Sequence, residues 1–238
     1  PSAQPDGNRG HTPLRACRAP KDTGRVDFCS NPEGARKETM RKPIVVAGSL
    51  NMDFVVQMKT LPRPGETVRG WSFQMLPGGK GANQACAVGR LGGRGRMIGR
   101  VGEDVFGERL KSSLEASGVD TLMVKKTAGE STGVALIFVQ EGGQNVIVVA
   151  AGSNGLFKPD DVAAAGGSFD TGGYLLLQLE SPQETVEAAS ALARSRGMTV
   201  ILDPAPARPL GAALLANVDI ITPNVAEGDF FEAAESFF

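Results

Sequence analysis

The densest concentration of ligand-binding chemistry in the sequence is Pro77-Gly78-Gly79-Lys80-Gly81-Ala82-Asn83-Gln84-Ala85. Paired glycines let a backbone approach a ligand closely, and a helix opening straight after them aims unpaired N–H groups and its positive dipole end at the same space. Lys80 and Asn83 share one helical face and bring donors and an acceptor for neighbouring hydroxyls. This is not a nucleotide P-loop, which needs Gly-x-x-x-x-Gly-Lys-Ser/Thr, because Lys80 is followed by Gly81. Nor does the Gly-x-Gly-x-x-Gly dinucleotide fingerprint occur anywhere in the chain.

A second polar set, Gly48-Ser49-Leu50-Asn51-Met52-Asp53, follows the first apolar run. In an open α/β sheet ligands bind beyond the carboxyl ends of the strands, so Asn51 and Asp53, alternate residues pointing to one side, are placed to grip a polyol. Asn and Asp are also ordinary turn residues, and a capped turn accounts for them as well. Glu180 ends the run Leu175-Leu176-Leu177-Gln178-Leu179, where its carboxylate either accepts two sugar hydroxyls or faces the dipole of the following helix. Asp203, in Asp203-Pro204-Ala205-Pro206-Ala207-Arg208, ends another run. Asn224 and Glu227, in Thr222-Pro223-Asn224-Val225-Ala226-Glu227, have the spacing of a helix cap with an acidic first turn.

Other chemistries lack material. The single histidine, His11, lies in a polar N-terminal stretch, which sets aside Ser-His-Asp and Cys-His catalysis and imidazole-rich zinc sites. Cys17, Cys29 and Cys86 form neither a Cys-x-x-Cys pair nor an even disulfide framework, as fits a reducing cytoplasm. Lys+Arg 25 against Asp+Glu 26 leaves a net charge of -1, so no global field draws the chain to nucleic acid or an anionic membrane. No apolar run approaches the roughly 20 residues of a membrane span, and the polar, proline-rich start lacks the apolar core of a secretory signal. The sequence reads as a soluble, cytoplasmic protein.

Of 238 residues, 41% are hydrophobic and 31 are glycine: enough apolar material for a sizeable core, and a glycine excess suited to tight strand-to-helix turns. Residues 1–42 carry a charge of +4 against -5 for the remainder, with few large apolar side chains. They are expected to form a disordered extension, and Met40, just ahead of the first apolar run, reads as a natural start. From Pro43 onward short apolar runs alternate with amphipathic stretches, which predicts a parallel sheet with crossover helices over 43–238. Core strands are expected at Ile44–Gly48, Arg96–Val101, Tyr174–Leu179, Thr199–Asp203 and Asp219–Thr222, and helices at Gly81–Leu91, Val105–Ser117, Pro182–Arg196 and Ala212–Ala216. The Ser181 hydroxyl is expected to cap the third helix, with Gly118 and Gly197 as left-handed C-terminal caps. Residues 54–75 and 133–150 break the alternation. With Glu141-Gly142-Gly143-Gln144 joining a hairpin, their economical home is a small separate antiparallel sheet, a lid or a subunit-pairing edge.

Taken in order, Gly48–Asp53, Pro77–Ala85, Gly129–Val139, Gln178–Pro182, Asp203–Arg208 and Asp219–Asn224 resemble the motifs of the PfkB-type sugar kinases, and the Gly-Gly-Lys-Gly-x-Asn form resembles their ribokinase branch. The resemblance runs from Ile44 to Glu227. It implies a doubly wound α/β/α sandwich with a small β-sheet lid, through which members commonly form homodimers. It further implies that Asn51, Asp53, Gly78, Gly79, Lys80, Asn83 and Glu180 bind D-ribose, that Asn224 contacts nucleotide phosphate, and that Glu227 acts near magnesium and the phosphates. The implied reaction moves the γ-phosphoryl group of ATP to the 5-hydroxyl of D-ribose, giving D-ribose 5-phosphate, with Mg2+ as cofactor and K+ as activator.

Such a transfer needs a base on the attacking hydroxyl and donors for the charge on the moving phosphate. The resemblance implies that both come from a late Gly-Ala-Gly-Asp segment. The nearest run here, Gly166-Gly167-Ser168-Phe169-Asp170, precedes Gln178 and is out of order. No catalytic base is therefore assigned in this chain, the C-terminal part of the fold is expected to be missing, and little or no kinase activity is expected from it alone. The alternatives are a catalytically silent sugar-binding or dimerising remnant, and the same fold serving fructose or a nucleoside.

Overall fold

Val45, Val46 and Ala47 are consecutive and all buried, as befits a central parallel strand covered on both faces. They belong to β1 (Pro43–Ala47), in the middle of a six-stranded sheet. The computed structural model describes residues 42–235, with side chains to 230. The expected extension over 1–42, apart from Lys42, and the start at Met40 lie outside the described residues.

The sheet runs β10 (Ile220–Ile221), β9 (Thr199–Leu202), β8 (Tyr174–Leu177), β1, β4 (Arg94–Gly102) and β5 (Asp120–Thr127), all parallel. On one face α1 (Lys80–Arg90) and α2 (Val105–Ala116) pack Ala82, Ala85, Leu110 and Leu114 against Val46, Met97 and Val101. On the other, α3 (Pro159–Ala164), α4 (Gln183–Ser195) and α5 (Ala212–Leu215) pack Val162, Val186, Ala189 and Leu214 with Val45, Leu175, Leu177 and Leu202. This is the expected doubly wound sandwich. The chain winds from β1 out to β5 and from β8 out to β10, so the switch lies between β1 and β8, the position beyond whose strand ends open α/β sheets bind ligands.

Two elements of the sandwich, β5 and α3, have no counterpart among the sequence expectations, whereas the helix start read at Asn224 and Glu227 is that of α6 (Val225–Glu235). In β5 the buried residues are Thr121, Val124 and Thr127, three apart, and a register shift against β4 destroys the alternation a strand normally shows. Gly118 and Gly197 do adopt left-handed backbone, φ 81° and 64°. The cap expected of Ser181 is corrected. Pro182 is the N-cap of α4, its extended ψ of 139° sets Ser181 outside the first turn, and the Ser181 hydroxyl is buried without a partner.

A second sheet, ordered β3-β2-β6-β7, is formed by β2 (Asn51–Met58), β3 (Gly70–Gly78), β6 (Gly133–Gln140) and β7 (Asn145–Ala150). Two antiparallel hairpins compose it, but β2 and β6 are parallel, with Asp53 beside Ala135. The sheet is therefore mixed, correcting the antiparallel expectation. The reason is topological: β2 follows β1 and β6 follows β5, so both leave the same ends of two parallel core strands and travel outward together. The strands also reach further inward than 54–75 suggested, taking in Asn51–Asp53 and Leu76–Gly78.

Two consequences concern stability. Leu175, Leu177, Val200 and Leu202 are fully buried, but Leu176 and Ile201, neighbours on the opposite side, are only half buried, and Ile220 beside them is 46% exposed. A parallel sheet is stable when both faces are covered, so this row is an apolar stripe ending at an open edge strand. The 238-residue chain is expected to form species larger than a dimer in sedimentation velocity, and Ile220→Lys to reduce them; a wild-type chain that stays small at tens of micromolar would contradict this.

The second consequence is at Asp161, 5% exposed, which accepts from Arg100 Nε at 2.6 Å and Nη2 at 2.9 Å and from Lys125 Nζ at 2.8 Å. Burial alone would raise its pKa, but the Arg100 and Lys125 hydrogen bonds and the Lys158 N–H hold it at about 2. Asp161→Asn is expected to cost on the order of 3 kcal/mol, because it leaves the largely buried Arg100 guanidinium without its counter-charge. A urea midpoint measures this. The carboxylate's contribution is complete above the ordinary Asp pKa and is lost as pH falls toward about 2.

Candidate functional site

Ser49 follows β1 and Glu180 follows β8, the two strands flanking the switch. Ser49 Oγ donates to Glu180 Oε2 at 2.6 Å, the Lys80 N–H donates to the same oxygen at 3.3 Å, and Asn51 Nδ2 points at it from 3.5 Å. The Gly81 N–H donates to Ser49 Oγ at 3.3 Å and the Ala82 N–H to the Ser49 carbonyl at 2.9 Å. The first N–H groups of α1 are thus taken up by Glu180 and Ser49. This corrects the expectation that they face a ligand unpaired: the helix start instead fixes one Glu180 oxygen, while Oε1 accepts nothing from the described residues.

Asn51 and Asp53 lie on one side of β2, as alternation requires, opposite Gly78 and Leu76 of β3. A Cβ at Gly78 would stand 2.1 Å from Asp53 Oδ2, so glycine is what lets the carboxylate lie there. Gly79 has φ 91°, and a Cβ on it would meet the Asn51 nitrogen at 2.6 Å; the chain crosses itself here at a distance only glycine permits. Asp53 accepts no hydrogen bond from the described residues. Burial, and secondly the negative charge of Glu180, push its pKa up to about 6. Two carboxylates with unfilled acceptor sites, beside a side-chain amide, suit a neutral ligand rich in hydroxyl donors.

Lys80 is half buried, and its charge reaches Asp203, whose pKa burial raises, with Lys80 lowering it and Glu227 and Glu180 adding to the rise. Lys80, Asp203, Glu180 and Glu227 therefore share one neighbourhood. Asn83 is not brought in: it is exposed, its side chain makes no hydrogen bond among the described residues, and it lies beside Leu76, Pro77 and Cys86. Asn224 and Glu227 satisfy each other as a reciprocal helix cap. The Asn224 N–H and Nδ2 donate to the two Glu227 oxygens at 2.9 and 2.8 Å, and the Glu227 N–H donates to Asn224 Oδ1 at 2.9 Å. Among the described residues no group of three His, Cys, Asp or Glu is arranged to hold a metal ion.

Two residues of the site had no role assigned from sequence. Ser49 sat inside Gly48–Asp53 as one more turn serine. Asn154 lies in Gly152–Leu156, a Gly-Ser-Asn-Gly stretch with the composition of any loop.

A doubly wound sheet, a small sheet rooted at its switch point and carboxylates with unfilled acceptor sites gathered there define the class: an α/β protein whose polar side chains meet where open α/β sheets carry their ligand sites. The profile of the pfkB family carbohydrate kinases matches residues 41–236, and the chain belongs to that family. It is 39% identical over 196 residues to the ribokinase of Haemophilus influenzae, covering 82% of this chain and 64% of the relative. To the ribokinase of Schizosaccharomyces pombe it is 42% identical over 190 residues, covering 77% and 60%. Among solved structures, Arabidopsis thaliana ribokinase complexed with ribose and ATP superposes with a TM-score of 0.71 at 34% identity, covering 80% of this chain and 62% of that one. The chain thus spans under two thirds of the length of these relatives.

Proposed function

We propose that these 238 residues form the sugar-binding part of a ribokinase-type kinase, whose complete reaction is ATP-dependent phosphorylation of D-ribose at the 5-hydroxyl. The observation that carries the reading is the Asp53 carboxylate, half buried, without a donor among the described residues, within reach of the Glu180 charge and on the same side of β2 as the Asn51 amide. Asp53 and Glu180 Oε1 each accept sugar hydroxyls, Asn51 donates, and Gly78 and Gly79 leave the space. Lys80 adds a cation to the same neighbourhood.

ATP as phosphoryl donor is favoured by the ribose and ATP complex of the Arabidopsis relative. Asn224 is the proposed phosphate contact. Glu227 has both oxygens bonded to Asn224, and no group of three His, Cys, Asp or Glu among the described residues is arranged to hold a metal ion, so magnesium has no fitted site there and no step is drawn through it or through potassium. Phosphoryl transfer moves the 5-hydroxyl proton to a base as the hydroxyl oxygen attacks the γ-phosphorus and the bond to ADP breaks. Without Gly-Ala-Gly-Asp in these residues, the polypeptide is proposed to bind sugar and not to turn it over. Homodimer formation through the small sheet is also proposed, supported by β7, an edge strand on which Val146, Ile147, Val148 and Val149 are all exposed.

Thermal-shift titration with D-ribose, 2-deoxyribose, fructose and adenosine tests the reading. Stabilisation by ribose ahead of the others is expected; a preference for fructose or adenosine moves the chain to another branch of the family.

A further inference from the structure

Asn154 is 3% exposed and stands where the chain returns from β7 to the core, 103 residues from Asn51. Its amide docks on the backbone of Leu50: Oδ1 accepts from the Leu50 N–H at 2.9 Å, and Nδ2 donates to the Leu50 carbonyl at 3.0 Å. A backbone N–H only donates and a carbonyl only accepts, so these two bonds decide which end of the Asn154 amide is oxygen and which is nitrogen. The second hydrogen on Nδ2 goes to Asn51 Oδ1 at 2.8 Å. Asn51 is thereby committed to accept with its oxygen, and its nitrogen is the end turned toward Glu180 Oε2. The reverse orientation would set an amide oxygen against a carboxylate. Gly133 leaves room for the pair, because a Cβ there would stand 2.2 Å from Asn154 Nδ2 and 2.3 Å from Asn51 Oδ1.

We infer that Asn154 is a positioning residue of the sugar site, orienting Asn51 so that an amide donor stands beside Glu180. The inference rests on the sugar-binding reading proposed above. Asn154→Asp keeps the shape and the acceptor but removes both donated hydrogens. By calorimetry it is expected to weaken D-ribose binding about tenfold. In an Asn51→Ala background the same substitution is expected to change affinity by less than about twofold, since there is no amide left to orient. Equal losses in both backgrounds would overturn the inference and leave Asn154 a structural residue.

Two readings by NMR need no sugar. The Asn51 side-chain amide signals, identified by their loss in Asn51→Ala, should move in Asn154→Asp; unmoved signals overturn the inference. In the wild-type chain the Asn154 side-chain amide protons should exchange slowly with solvent, and rapid exchange overturns it even if the variant does not fold. Should the folded wild-type chain bind no ribose, the functional proposal falls, and these readings alone decide the orientation.

Discussion

Asp53→Asn is expected to abolish most of the sugar affinity and, at neutral pH, to make the protein more stable. The folded-state pKa of about 6 lies above the ordinary carboxylate value, so the folded chain binds the proton more tightly than the unfolded one. Stability therefore rises as pH falls from about 6 toward 4, and above that window the ionised group weighs against the fold. A neutral amide removes the burden. Discounting for a half-exposed group, we expect the melting temperature at pH 7.5 to rise by about 2–4 °C. The sugar effect has the opposite sign. Charge-assisted hydrogen bonds from hydroxyls to a carboxylate are worth roughly 1.5–3 kcal/mol each, so the loss of affinity should approach about 100-fold. Wild-type affinity should also fall as the pH drops through about 6, while that of Asp53→Asn stays flat. An Asp53→Asn chain that binds ribose as tightly as wild type removes Asp53 from the site.

A chimera in which the last third of the Haemophilus influenzae ribokinase follows Glu227 is expected to phosphorylate D-ribose with ATP. The 238-residue chain should show at least about 1,000-fold less turnover. The size follows from what is added: a base contributes typically 10²–10⁴-fold and anion-hole donors a further 10²–10³-fold, roughly. The addition would also be expected to cover the Leu176, Ile201 and Ile220 row and reduce self-association. Comparable turnover by the two proteins would mean that a residue already present, with Asp53 the first to test, serves as the base. A chimera that folds and binds ribose but stays inactive would show that the chain's own crevice is not competent.

The legible part of the structure was the part in which local chemistry and fold agree. Ile44–Ala47 and Leu175–Leu177 are apolar on both sides, and a strand with that pattern has few places other than the middle of a parallel sheet. Asn51 and Asp53 were readable because alternation puts them on one side whatever sheet they join. The direction of β6 was not readable, since it depends on the parallel exits of β1 and β5 and on no residue within β6. β5 escaped because its burial has no period of two. Ser181 failed as a cap because Pro182, helpful in a first turn, here took the cap position itself. The role of α1's N–H groups was misjudged for a related reason: a helix start attracts an anion, but sequence does not say whether that anion is a ligand or Glu180 from a distant strand. Asn154 was beyond reach, because its function lies in bonds to Leu50 and Asn51 across more than a hundred residues.

The most direct test of the central claim is calorimetric titration of D-ribose into the 238-residue chain at pH 7.5 without ATP, with Asp53→Ala as control. The account predicts saturable binding at one site per chain that the control lacks. A folded chain that gives no binding heat, or one whose binding is untouched by Asp53→Ala, would contradict it.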